Sequence, residues 1–194
     1  PESPVGAGAV EWQDVVGVLE HVSRHPDFRD LDVALLTQCM GANATLAAWH
    51  RAPDAFDLDK IKCQVLVQPT ISYNMMSRLT ERKLKMDLAA SVDAAQREQY
   101  GFGFADALET IGSVKVPVLF TQVEGDVYTT NTETGINDIE VIFDRCPTPK
   151  DLVWIGPDQP RAFGTGKRFD GYNYFNEHPQ ELLDFLAAHI ETAD

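Results

Sequence analysis

Apolar and polar positions along the chain alternate between two periods. From Trp12 to His25 the apolar residues Trp12, Val15, Val16, Leu19 and Val22 recur at i, i+3, i+4, i+7 and i+10, which predicts a helix with one buried face. Pro26 ends it, because the residue before proline avoids helical geometry. Val33 to Leu36 is a short continuous apolar run, as expected of a strand covered on both faces. Met40 to His50 is alanine-rich and reads as a helix whose alanines and Leu46 face inward. Ile61 to Pro69, Val116 to Val123 and Asp151 to Gly156 are further strand candidates. Between them lie three predicted helical stretches. Ser77 to Tyr100 is charged, with Leu79, Leu84, Leu88 and Val92 as a sparse stripe; Ala105 to Ile111 is short; Thr130 to Phe143 carries Ile136, Ile139, Val141, Ile142 and Phe143. Pro179 to Ile190 is the last helix, with proline at its first turn and Leu182, Leu183, Phe185 and Leu186 facing in.

Strands alternating with helices imply an α/β fold with a mostly parallel sheet and flanking helices. The chain has 194 residues and 44% hydrophobic content, consistent with a single domain over residues 1–194. A net charge of −14 argues against nucleic acid and anionic membranes as partners. No apolar run is long enough to span a bilayer, and no signal-peptide pattern is present. Cys39, Cys63 and Cys146 are widely spaced and in no metal-ligand pattern, which points to a reducing cytoplasm and to no metal or cofactor.

Cys39 is the residue with chemical promise. A free cysteine after an apolar strand is ordinarily a small core hydrophobe. Its setting, Thr37-Gln38-Cys39-Met40-Gly41, resembles the nucleophile elbow of the α/β-hydrolases with Cys in place of Ser. The resemblance implies a strained corner that presents Cys39 at the top of the sheet. It also implies an oxyanion donor in the Met40 backbone N–H and room for the turn from Gly41. Val116 to Asp126 resembles the seventh strand of that family, which puts the acid of the triad at Asp126. The run Cys39 to Thr45 (C-M-G-A-N-A-T) and the run Arg168 to Phe175 (R-F-D-G-Y-N-Y-F) resemble a sub-family associated with polyketide acyl transfer. Residues 70–113 fall where the family inserts a helical cap, with Met75, Met76, Tyr100, Phe102 and Phe104 as candidate pocket lining. Pro1 to Gly8 looks like the tail of the D-x-P-G-x-G loop after the fourth strand. The chain thus resembles the C-terminal half of a hydrolase, with N-terminal strands to be supplied by a preceding segment or by a partner, for instance in a homodimer.

The family pattern fails at the base. The loop from Pro157 to Glu177 contains no histidine, and Lys167 or Arg168 stands where relatives carry one. His50 lies roughly 16 Å along the helix from Cys39 and is too far to serve. His178, at the brink of the last helix, reads more naturally as a surface residue than as the base. A thiol with pKa ~8.5 is only a few per cent thiolate at neutral pH, so a helix N-terminus and a nearby cation would have to activate it. Two functions are therefore expected. One is a hydrolase or acyltransferase acting on a small-molecule ester, thioester or lactone through a Cys39 acyl-enzyme. The other is a catalytically degenerate hydrolase fold used as a binding or assembly subunit.

Overall fold

The structure, a computed structural model, describes residues 6, 8–72, 80, 84–85, 88–126, 128–131, 134–156 and 171–190. Strands β1 (Val33–Gln38), β2 (Ile61–Val67), β3 (Val118–Val123) and β4 (Lys150–Ile155) form one sheet in the order β1-β2-β3-β4, every pair parallel. Around it lie α1 (Trp12–Arg24), α2 (Met40–Arg51), α3 (Ala89–Tyr100), α4 (Ala107–Thr110), α5 (Asp138–Arg145), α6 (Tyr174–Glu177) and α7 (Pro179–His189).

Period-two alternation in the strands divides the core between the two faces of the sheet. Cys63, Val65 and Val67 of β2 pack with Phe185, Leu182 and Leu186 of α7. Leu66 of β2 and Phe120 of β3 pack on the other face with Leu46 and Trp49 of α2, Leu19 of α1 and Ile142 of α5. Every residue from Ala42 to Trp49 is buried, so α2 is enclosed on all sides and its alanines allow close approach. Trp49 stacks on Phe56 at 3.6 Å and donates from Nε1 to Gln64 Oε1 at 2.7 Å.

Three elements differ from the sequence expectation. β1 is not covered on both faces: it is the edge of the described sheet, and Leu36 is 53% exposed. The helix expected from Thr130 begins only at Asp138. Thr130 and Asn137 form an antiparallel bridge, and Asn137 starts α5 with a capping box in which Glu140 accepts from the Asn137 N–H. The charged helix expected from Ser77 is interrupted at Lys85, which has a φ of 54°, and α3 then runs from Ala89 with no buried residue.

The chain leaves β2 at a braced point. Asn43 of α2 donates from Nδ2 to Thr70 O at 2.7 Å and accepts from Thr70 N–H at Oδ1. Asp138 accepts from the Ile71 N–H, and the Ala107 N–H donates to Ile71 O. Residues 72–106 therefore depart and return at neighbouring positions. Among the described residues no helix is long and apolar enough to cross a membrane.

Candidate active site

In a parallel sheet the C-terminal ends of all strands open onto one edge, where ligand sites of α/β folds form. Gln38, Val67 and Thr121 lie in one row across β1, β2 and β3. Cys39 follows Gln38 directly, Gln68 follows Val67, and Asp126 follows β3 after a short turn. The three residues share that edge.

Cys39 occupies the single position between β1 and α2, with φ 52° and ψ −117°. Its N–H donates to Val67 O at 2.8 Å, extending the ladder by one bond, and its carbonyl accepts from Ala42 N–H and Asn43 N–H to start the helix. Strand and helix thus pin the backbone from both sides of a conformation that L-residues rarely adopt. The side chain is half-buried. Met40 is the first residue of α2, so its N–H has no acceptor within the helix. Gly41 is not needed for the turn on steric grounds: a methyl there would meet nothing within 4 Å, and the positive φ is carried by Cys39 itself.

Asp126 is 1% exposed. Its Oδ1 accepts from Tyr128 N–H at 3.0 Å, and its carbonyl accepts from Thr129 N–H and Thr130 N–H. β3, the strand before it, does not neighbour β1, because β2 intervenes. Two strand spacings, about 10 Å, separate β1 from β3, so the two side chains would need an intermediary. Gly6 N–H, Gly8 N–H and Val10 N–H all donate to the Glu11 carboxylate, which folds the N-terminal loop onto itself beside Asn43.

The chain after β4 returns to this edge. Gln38 Nε2 donates to Tyr172 O at 3.3 Å, and Gly171 lies against the Gln68 side chain. Lys167 and Arg168, the candidate cations, lie outside the described residues, as do Met75 and Met76. His178 is half-buried between exposed neighbours: its Nε2 is shielded with no hydrogen-bond partner among the described residues, and its ring packs 4.9 Å from that of Tyr174. His50 contacts Ser113 Oγ, away from the corner.

Two cavities share Ile71, just past the end of β2, and neither is lined by Cys39. One of about 520 Å³ is lined by Ile71, Leu108, Tyr128, Thr130, Asn137 and Asp138, next to the Asp126 turn. Another of about 370 Å³ is lined by Ile71, Ser72, Asp93, Arg97, Phe104 and Asp106. Phe104 thus faces a cavity, whereas Tyr100 is 46% exposed and stacks on Phe102. Burial pushes the Cys63 thiol up to about 11, so it stays protonated at neutral pH. Among the described residues no group of three or more His, Cys, Asp or Glu side chains could hold a metal ion.

Asn43 and Gln68 were not anticipated. Asn43 gave a faint signal, a polar residue on a helix face expected to be apolar. Gln68 gave none, since nothing in Val67-Gln68-Pro69 announces a left-handed backbone.

No protein family matches the chain, and no curated protein does. Solved structures match it in fold. An esterase of Pyrococcus furiosus superposes with a TM-score of 0.60 at 14% identity, over 93% of this chain and 62% of that one. A dienelactone hydrolase of Anabaena variabilis gives 0.53 at 16% identity, over 93% and 60%. An acetyl xylan esterase of a Paenibacillus species gives 0.56 at 14% identity, over 92% and 52%. The chain therefore has an α/β-hydrolase fold and spans about three fifths of the length of the first two structures.

Proposed function

We propose that this α/β-hydrolase fold carries an acyl-transfer site in which Cys39 is the nucleophile. The observation that supports it most is the backbone of Cys39, a non-glycine residue held at φ 52° and ψ −117° between a parallel strand and an enclosed helix. Such a corner lifts the side chain off the sheet edge and sets it at a helix N-terminus, where thiolate is favoured.

In this reading the Cys39 thiolate attacks the carbonyl of a small-molecule ester, thioester or lactone. The Met40 N–H donates to the oxyanion, and collapse expels the alkoxide or thiolate to leave an acyl-enzyme. Water or an acceptor hydroxyl then takes the acyl group. Asp126 acts through a base rather than on Cys39, given the strand between them. The chain between β2 and Ala107, which itself packs in the core, covers the substrate in this reading, and Phe104 is its candidate contact. The fold neighbours include esterases and a dienelactone hydrolase, which fits this substrate class.

The edge strand β1 supports the second reading, a binding or assembly subunit, because Leu36 on β1 and Val18 on α1 are exposed on the same side of the fold.

Single-turnover release of p-nitrophenolate from a short-chain p-nitrophenyl ester separates the two. The acyl-transfer reading requires a burst approaching one equivalent per chain, followed by slow turnover because the returning loop has no histidine. Cys39→Ala abolishes the burst. A burst that survives Cys39→Ala sinks the reading.

A further inference from the structure

The end of β2 holds a second strained residue. Gln68 is fully buried and has a φ of 51°, a conformation that glycine adopts without penalty and that costs other residues. Its backbone is pinned as that of Cys39 is: the Gln68 N–H donates to Thr121 O at 2.9 Å, one strand over from the Cys39 bond to Val67 O. Strain of this kind persists only where the surroundings over-determine it, so the question is what the side chain does.

The amide of Gln68 lies against Gly171. A methyl built on Gly171 would come within 2.6 Å of Gln68 Nε2 and 2.7 Å of its Cδ. A side chain is present where the backbone disfavours one, and absent where that side chain lands. The next residue, Tyr172, is held through its carbonyl by Gln38 Nε2 at 3.3 Å. Two glutamines, at the ends of adjacent strands and flanking the Cys39 corner, thus hold two consecutive residues of the chain that returns from β4.

We propose that Gln68 is a positioning residue for the Cys39 corner: with Gln38 it clamps Gly171–Tyr172 at the strand ends and thereby fixes how closely the returning chain approaches the thiol. It deepens the acyl-transfer reading and rests on it for its catalytic meaning, since Gln38, which holds Tyr172, directly precedes Cys39. Gln68 touches no reacting atom. Its effect passes through the chain it holds.

The test reads the thiol itself. The pH midpoint of Cys39 alkylation by iodoacetamide is measured by peptide mass for the native chain, Gly171→Ala, Gln68→Ala and the double variant. Each single change loosens the clamp and raises the midpoint by about half a pH unit, about threefold less thiolate at neutral pH. Because both act on one contact, the double variant shifts no further than the larger single change. Gln68→Gly supplies a readout that a merely structural role would not give. It relieves the backbone that Gln68→Ala leaves strained and so has the higher urea midpoint of the two, yet it shifts the Cys39 midpoint upward as Gln68→Ala does. Unchanged midpoints in the single variants, or additive shifts in the double, overturn the proposal. If Gly171→Ala does not fold, Gln68→Gly decides alone: a folded protein with an unshifted Cys39 midpoint overturns it. Alkylation needs no acyl transfer, so a native chain that forms no acyl-enzyme removes the catalytic reading and leaves this comparison in force.

Discussion

A side chain at φ 52° and ψ −117° costs about 1–3 kcal/mol, and at Cys39 the hydrogen bonds to Val67, Ala42 and Asn43 offset that cost. Cys39→Gly and Cys39→Ala both remove the thiol, but only glycine relaxes the backbone. Cys39→Gly is therefore expected to be the more stable of the two by about 1 kcal/mol, after allowing for the greater freedom of glycine in the unfolded chain. Urea unfolding of both variants checks this, and equal midpoints would mean that the corner is not strained. At this scale the sequence was partly legible. Thr37-Gln38-Cys39-Met40-Gly41 announced the corner because its residue types match a recurrent turn. The partners of the corner were not legible, since Gln68 and Gly171 meet only after the chain has crossed the sheet.

Helix α2 and the exit of β2 are joined by one side chain. Asn43 satisfies both the N–H and the C=O of Thr70, a buried residue, in the way a neighbouring strand would. Asn43→Ala leaves both groups without that partner, and a buried unsatisfied group costs about 1–3 kcal/mol. A loss of at least about 2 kcal/mol is expected, with faster hydrogen exchange at the Thr70 amide; a loss below 0.5 kcal/mol (about the scale of a surface change) would remove Asn43 as the brace. Element boundaries show where sequence reasoning falls short. All four strands were found because apolar runs survive in any context. The start of α5 was misplaced because Ile136 looked like helix core, although Asn137 and Glu140, three apart, carry the capping signature. The cover on β1 was misjudged because a run such as Val33 to Leu36 cannot tell whether a helix lies over both of its faces.

For the molecule as a whole, burial couples stability to alkaline pH. Burial raises the Cys63 thiol from 9.0 to about 11, and burial together with Glu181 raises the Tyr174 hydroxyl from 10.0 to about 12. The folded state therefore holds these protons more tightly than the unfolded chain does. The stabilisation is complete below pH 9 and is lost as pH rises towards 11 and 12. Cys63→Ala is expected to flatten the fall in unfolding free energy between pH 9 and 11; an unchanged slope would show that the buried thiol does not contribute. The fold class was legible at this scale from the alternation of periods alone. The reach of the site was not, because it depends on which strand ends share an edge and on how the chain after β4 returns to them.

The central claim is that Cys39 takes an acyl group. Native protein exposed to an activated acyl thioester at neutral pH, then digested and mapped by mass, tests it directly. The predicted result is a single acyl group on the peptide that contains Cys39, with Cys63 and Cys146, both buried, unmodified. Acyl groups spread over all three cysteines or confined to surface lysines, with Cys39 unlabelled, would contradict it.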